Sequence, residues 1–265
     1  MPELMDFIKD LDCADGALPL IHLTDVFRLV QIKKTSTLSA KEHKKFYPGQ
    51  KLLYCFYGRP SFRINSDIGA TTATYFAPVR MIFDHTLMDT AFRIMPFDSG
   101  AFLSGRMEGI VHPDMELSEF ELDLHPKSPM KLIKTFFGNE LKYLNSDPLP
   151  NIAGIDDAIS HNNFYAEAYY QLLRHRSNSG TDDRLHAIEL QFNKDIALKN
   201  KVRAVVIPNR WHDSAIGEHI EKAWGAITIP YDMPAMYAPR ECMNFIFEKV
   251  RTFIIQEAMH TGGPA

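Results

Sequence analysis

In His186-Ala187-Ile188-Glu189-Leu190-Gln191-Phe192, apolar and polar residues alternate from Ile188 onward. Successive side chains of a strand point to opposite faces, so Ile188, Leu190 and Phe192 share one face and Glu189 and Gln191 the other. Just upstream the period is different. From Asn163 to Arg176 the positions Phe164, Ala168 and Leu172 recur at four and predict a helix that stops at the polar run Ser177-Asn178-Ser179-Gly180. A helix therefore gives way to a strand across that run, and the rest of the chain is read from this change of period.

Downstream, Val202 to Ile207 is a second strand ended by Pro208. Ser214 to Trp224 predicts a short helix with Ile216, Ile220, Ala223 and Trp224 on one side, Asp213 as its cap and Gly225 as its stop. It leads into a strand over Ala226 to Ile229, and the last element is a helix from Pro239 to about Ala258 with Met243, Ile246, Val250, Phe253 and Ile254 inward. Upstream, Pro129 to Leu144 reads as one helix, with Met130, Ile133, Phe137, Leu141 and Leu144 at spacings of three and four and Ser128 as its cap. The first half is strand-like: Leu52 to Tyr57 is an apolar and aromatic run closed by Gly58 and Pro60, and Tyr75 to Phe83 is another. Strands in two blocks with helices between them make the fold class α+β. No linker-like run of Pro, Gly or Ser and no internal repeat breaks the sequence, so residues 1–265 are read as a single domain.

Charge and cysteine usage exclude more than they identify. Lys and Arg number 29 against 33 Asp and Glu, giving a net charge of -4, and hydrophobic residues make up 45%. That balance excludes a disordered chain and a uniformly basic nucleic-acid coat, and leaves room for one local basic patch. Cys13, Cys55 and Cys242 are odd in number and far apart, which is neither a disulfide framework nor a zinc site. Glu3, Asp6, Lys9 and Asp10 deny Met1 to Asp10 the form of a secretory signal, and no window reaches the roughly 18 apolar residues of a membrane span, so a cytoplasmic protein without membrane contact is expected.

The sequence holds no GxxxxGK[ST], GxGxxG, GxSxG or HExxH. This argues against a P-loop enzyme, a Rossmann dehydrogenase, an α/β-hydrolase and a zincin. His112, His125 and His161 stand in no recognised ligand spacing, so no metal is expected. What remains is a few polar residues in apolar settings. His22, in Ile21-His22-Leu23-Thr24, is either a partly buried histidine bonded to backbone or a ligand contact. Arg59 follows Gly58, which frees the backbone and would let the arginine leave the sheet edge, as a solvated turn residue or as a partner for phosphate or carboxylate. Glu189 faces either solvent or a cleft, and spacing alone favours solvent. Asp84-His85 and the turn-forming segment Arg93 to Gly100 are read as structural.

Taken in order, these residues resemble a family. Ile21-His22-Leu23-Thr24 is similar to the opening His-x-Thr of the ADP-ribosyltransferase fold, and in particular of the DarT-type toxins that ADP-ribosylate DNA. Cys55-Phe56-Tyr57-Gly58-Arg59-Pro60-Ser61-Phe62 looks like that family's aromatic segment running into a catalytic arginine. Ala187-Ile188-Glu189-Leu190 resembles its glutamate strand, and Ala204-Val205-Val206-Ile207-Pro208 the strand after it. The likeness runs over scattered positions from 18 to about 208, is interrupted by a helical region at about 120–177 that reads as an insertion, and has no counterpart for the roughly 55 residues after Ile207.

The resemblance implies two packed small β-sheets with inserted and C-terminal helices, and NAD as co-substrate. It implies that Glu189 and Arg59 are catalytic, Glu189 at the ribose and Arg59 at the pyrophosphate or the acceptor. His22 and Thr24 would bind the dinucleotide, with Tyr57 stacking on nicotinamide and Tyr75 beside it. A toxin of a toxin-antitoxin or phage-defence system that modifies a DNA or RNA base is the expected function, with an antitoxin protein as a partner. Lys33-Lys34, Lys41, Lys44-Lys45, Lys51, Lys127, Lys131 and Lys134 are the basic residues available for a nucleic acid. An NAD glycohydrolase, a protein-targeting ADP-ribosyltransferase and a non-catalytic binding protein are the competing readings.

Overall fold

The computed structural model describes residues 3–13, 18–61, 68–155, 163–175 and 184–261, with side chains up to 257. The chain is α+β and divides into two compact units, one of Met1–Ala17 with Met88–Gln191 and one of Leu18–Leu87 with Phe192–Ala265. Strands and helices are numbered along the chain.

The strand-rich unit holds β1 (Leu20–Asp25), α2 (Val26–Thr35), β2 (Thr37–Leu38), β3 (Lys41–His43), β4 (Tyr47–Tyr57) and β5 (Pro78–Phe83), and then β8 (Ile196–Ala197), β9 (Val202–Pro208), α7 (Asn209–His212), α8 (Ala215–His219), β10 (Ile227–Tyr231) and α9 (Cys242–Thr261). Its sheet runs β10-β9-β5-β1-β4, with β3 against β4, and β2 and β8 form a small antiparallel pair beside it. The sheet is mixed. β9 and β10 are parallel, with Ile229 opposite Val206, whereas β5 is antiparallel to both β9 and β1. All six residues of β5 are buried, as expected of a central strand with both faces covered. α9 packs on β5, β9 and β10 and buries Met243, Ile246 and Val250.

The helix-rich unit holds α1 (Glu3–Ile8), β6 (Arg93–Met95), α3 (Ser99–Leu103), α4 (Ser128–Phe136), α5 (Glu140–Leu144) and α6 (Phe164–Arg174), and β7 (Glu189–Phe192) pairs with β6. Its core is aromatic. Phe97 and Phe120 lie 5.2 Å apart edge to face, and Phe136 and Tyr169 lie 4.7 Å apart in the same arrangement.

Several elements differ from their sequence reading for local reasons. The helix expected from Pro129 to Leu144 is two helices, because Gly138 turns the chain at φ 82, where a side chain would be strained and would crowd Leu149. Ser128 lies inside the helix it was expected to cap, and Lys127 holds the cap position. Tyr75 sits in a 3-10 turn, Thr74–Phe76, and its strand begins only at Pro78. Ser214, not Asp213, caps α8 through the Ile216 N–H, and that helix passes into a π turn, Ile220–Trp224, which Gly225 closes at φ 73. The last helix starts at Cys242 instead of Pro239. The predicted end of the Asn163 helix, Arg176, lies outside the described residues.

The strand from His186 shows the largest departure. It begins at Glu189, and all four of its residues are buried, so the alternation that put Glu189 and Gln191 toward solvent does not describe it. Both of its faces are covered, and only one of them is apolar.

Candidate functional site

In the helix-rich unit the antiparallel register sets Met95 opposite Glu189 and Arg93 opposite Gln191. Cross-strand partners on one face lie close enough for side chains to meet. Arg93 Nη1 donates to Gln191 Oε1 at 2.7 Å, and its Nε lies 3.4 Å from Glu121 Oε2. With its carbonyl oxygen engaged, the Gln191 amide turns Nε2 inward and donates to Glu189 Oε1 at 2.8 Å and to Ser99 Oγ at 2.9 Å. Ser99 Oγ has one proton, and it goes to Glu189 Oε1 at 2.7 Å. The result is a directed chain, from Arg93 through Gln191 to Ser99 and Glu189.

Glu189 is 2% exposed. Burial, with the nearby charge of Asp98 in the same direction, pushes its carboxyl up to about 8, against the Gln191 and Ser99 hydrogen bonds that favour its ionised form. Asp98 caps α3, accepting from Ala101 N at 2.9 Å, and its own N–H donates to the Arg184 carbonyl at 3.0 Å. Ser99 is the first residue of α3, so the cap that starts the helix also sets the serine against the strand. In the sequence Glu189 stands out and Gln191 does not, and Asp98 and Ser99, within Arg93 to Gly100, read as structural. Asp98-Ser99 carries a local cap signal, but the pairing of residue 93 with residue 191 is a long-range register that no local pattern discloses.

The remaining sequence candidates belong to the strand-rich unit. His22 stands on β1 opposite Met81, half-buried, and its Nδ1 meets the Tyr54 carbonyl at 2.8 Å. Burial pushes its pKa down to about 4, with the positive charges of Arg80, Arg28 and Lys41 adding to the effect. The carbonyl can only accept, so Nδ1 carries the proton of the neutral ring and Nε2 is the atom left for a ligand. Thr24 is buried two residues on. Tyr57 is wholly buried, and its hydroxyl accepts from Leu18 N at 3.4 Å. Tyr75 is 51% exposed and leans on Phe76 with ring centroids 4.6 Å apart.

Gly58 does break β4, at φ 65, and the Arg59 N–H bonds the Tyr57 carbonyl at 2.8 Å. The turn takes Arg59 inward instead of off the sheet edge. It is 2% exposed, with its guanidinium carbon 5.9 Å from the centre of the Phe247 ring on α9. Two residues later the Ser61 hydroxyl is buried with no hydrogen-bond partner among the described residues. A buried hydroxyl left so costs about 1–3 kcal/mol, which a polar ligand atom would recover.

Among the described residues no three His, Cys, Asp or Glu gather where a metal ion could be held, and no helix is long and apolar enough to cross a membrane. No family model, curated protein or solved structure matches the chain.

Proposed function

We propose that the protein is an NAD-dependent ADP-ribosyltransferase of the DarT-like kind, with the fold that this resemblance implies. One observation carries the reading: the glutamate that the resemblance marks as catalytic is a buried carboxyl whose Oε1 accepts from a serine and from an amide that an arginine orients. Such a group has a fixed direction and little water around it, which is what stabilisation of a developing positive charge requires.

The chemistry follows from the bond to be broken. As the link between nicotinamide nitrogen and ribose C1' lengthens, positive charge builds on the sugar. A nucleophile on the acceptor bonds to C1', gives up its proton, and nicotinamide leaves with the electron pair of the broken bond. Glu189 is neutral near pH 7 in the free protein because it is buried. The cationic nicotinamide ribosyl group favours its ionised form, so bound substrate itself would bring out the carboxylate. His22 Nε2 and Thr24 are assigned to the dinucleotide. Tyr75 offers an exposed ring face that the wholly buried Tyr57 does not. Ser61 provides a hydroxyl for the pyrophosphate, and Arg59, buried beside the Phe247 ring, is assigned the charge that meets it.

The acceptor is proposed to be a nucleic-acid base, in a toxin held in check by an antitoxin. The test is incubation with NAD labelled in its adenylate, offered with separate pools of DNA, RNA and protein. Label is expected in the DNA or RNA pool, and Glu189→Gln is expected to lower its transfer about 10²–10³-fold. Equal labelling by this variant, or no labelled pool and no released nicotinamide, would sink the reading. Nicotinamide release without labelled polymer would make the protein a glycohydrolase.

A further inference from the structure

The Gln191 amide stands between a guanidinium and a carboxyl. Arg93 Nη1 donates to its oxygen at 2.7 Å on one side, and on the other its Nε2 donates to Glu189 Oε1 at 2.8 Å and to Ser99 Oγ at 2.9 Å. Gln191 is wholly buried, so both ends of the amide have to find their partners inside the protein. A side-chain amide has a second orientation of nearly the same shape, turned half a circle about its last bond, in which oxygen and nitrogen change places. The two orientations ask opposite things of the neighbours.

With nitrogen toward Glu189, both amide hydrogens are given inward, and Ser99 keeps its single proton for Glu189 Oε1, which it reaches at 2.7 Å. Two donors then converge on one carboxyl oxygen, which favours the charged form. With oxygen toward Glu189, two acceptors would face each other unless Glu189 carried a proton and donated it to the amide. That pair satisfies itself and favours the neutral acid. Burial already drives Glu189 toward its neutral form, and the charge of Asp98, at the cap of α3, acts the same way, so without a further constraint the second orientation is the one to expect. Arg93 is the constraint. A guanidinium has only donors, and a turned amide would meet it with its own NH2 and leave Nη1 without that acceptor. Arg93 is gripped from outside as well, with its guanidinium carbon 5.1 Å from the centre of the Phe92 ring and its Nε 3.4 Å from Glu121 Oε2. Two more ionisable side chains border the chain of bonds. Arg184 is buried, with its carbonyl on the Asp98 N–H, and the Tyr143 hydroxyl accepts from Ile188 N at 3.1 Å.

We propose that Arg93 is a positioning residue for Glu189: by fixing the Gln191 amide with its oxygen outward, it denies the protonated carboxyl its nearest acceptor and keeps Glu189 able to ionise. The inference rests on the transferase reading only for the use made of the carboxylate, because the orientation of the amide and its effect on Glu189 are properties of the free protein. One guanidinium thereby governs two donors. Turning the amide would withdraw the Gln191 hydrogens from Glu189 and also offer the Ser99 proton a competing acceptor.

The test is made first on the free protein. Glutamate labelled at its carboxyl carbon lets each side chain be titrated by its carbon shift, and Glu189→Gln identifies the Glu189 signal. Its midpoint is expected near 8 in the unaltered protein and about one pH unit higher in Arg93→Met, a tenfold change. Gln191→Met is expected to raise it in the same way, and adding Arg93→Met to that variant is expected to move it no further, because the path through the amide is already gone. Arg93→Lys, which keeps a donor for the amide oxygen, is expected to restore the midpoint. In the unaltered protein, Overhauser contacts should run from the Gln191 amide protons to Ser99 and not to Arg93, which tests the orientation even if a variant fails to fold. With NAD, Arg93→Met is expected to lose about tenfold in kcat near pH 7 and little in KM, since less Glu189 is ionised and no contact with the dinucleotide is removed. An unmoved midpoint in Arg93→Met, an equal displacement in the Gln191→Met background, or amide contacts to Arg93 overturns the proposal. A midpoint that moves as expected in a protein that consumes no NAD upholds it and sinks the transferase reading instead.

Discussion

Glu189, buried in the helix-rich unit, and His22, half-buried in the strand-rich unit, are ionisable groups driven to their neutral forms, one up to about 8 and the other down to about 4. They are held differently. Glu189 has two side-chain donors on one oxygen and a carboxylate nearby, while His22 has one backbone carbonyl and three cations around it. The donors on Glu189 favour its charge and are outweighed. The surroundings of His22 are almost wholly against its charge. The contrast separates a group prepared to ionise when a cation arrives from a group set to remain a neutral hydrogen-bonding partner, and these are the two functions the proposed reaction needs.

The largest effect expected is on stability as a function of pH. The folded state holds the Glu189 proton up to about pH 8, whereas an ordinary glutamate loses it near 4.5. Between these values the folded chain binds more protons than the unfolded one, so this contribution is complete below the lower value and is lost as pH rises toward the upper one. Glu189→Gln, neutral throughout, is expected to remove that descending limb, a change on the order of a few kcal/mol at its alkaline end. Urea midpoints measured across the same range are the check, and an unchanged limb in the variant would assign it to other groups.

His22 gives the opposite limb and a smaller one. Its folded pKa near 4 lies below the ordinary value of 6.5, so its contribution is complete above 6.5 and is lost as pH falls toward 4. His22→Asn keeps a donor for the Tyr54 carbonyl and cannot take up a proton. It is expected to flatten the acid limb by about 1–3 kcal/mol and to leave the alkaline limb in place. Loss of both limbs in either single variant would show that the two groups titrate as one system, and the contrast between them would fail.

The same pair shows what a sequence can and cannot disclose. His22 lies on a strand followed at once by α2, which Asp25 caps through the Arg28 N–H, a local signal that the residues themselves carry. Gly58 and Gly225 marked true breaks, since each takes a positive φ that other residues adopt with strain. Glu189 was legible as a residue and not as a site. Alternation places a side chain on a face, but what covers that face depends on segments almost a hundred residues away, here β6 and the cap at Asp98. Arg59 failed for a related reason. Glycine announces that the chain turns and is silent about the direction, and it turned inward toward α9. The single helix expected from Pro129 failed because apolar spacing continued in phase across Gly138, where the backbone does not.

The smallest expected effect bears most directly on why Glu189 differs from His22. Burial is the main cause of its raised pKa and the charge of Asp98 the second. Asp98→Asn separates them. Asparagine caps a helix about as well as aspartate, so the bond to Ala101 N is kept and stability at acid pH is expected to change by no more than about 0.5 kcal/mol. What should move is the midpoint of the alkaline limb. Without the like charge, Glu189 releases its proton at lower pH, still well above an ordinary glutamate because its burial is unchanged. If the transferase reading holds, the pH dependence of NAD cleavage should follow the same displacement, since one carboxyl governs both. A midpoint that moves in stability but not in cleavage would detach Glu189 from the chemistry. A midpoint that does not move at all would mean that burial alone sets its titration, so that Glu189 and His22 differ only in the sign of the charge each is kept from carrying.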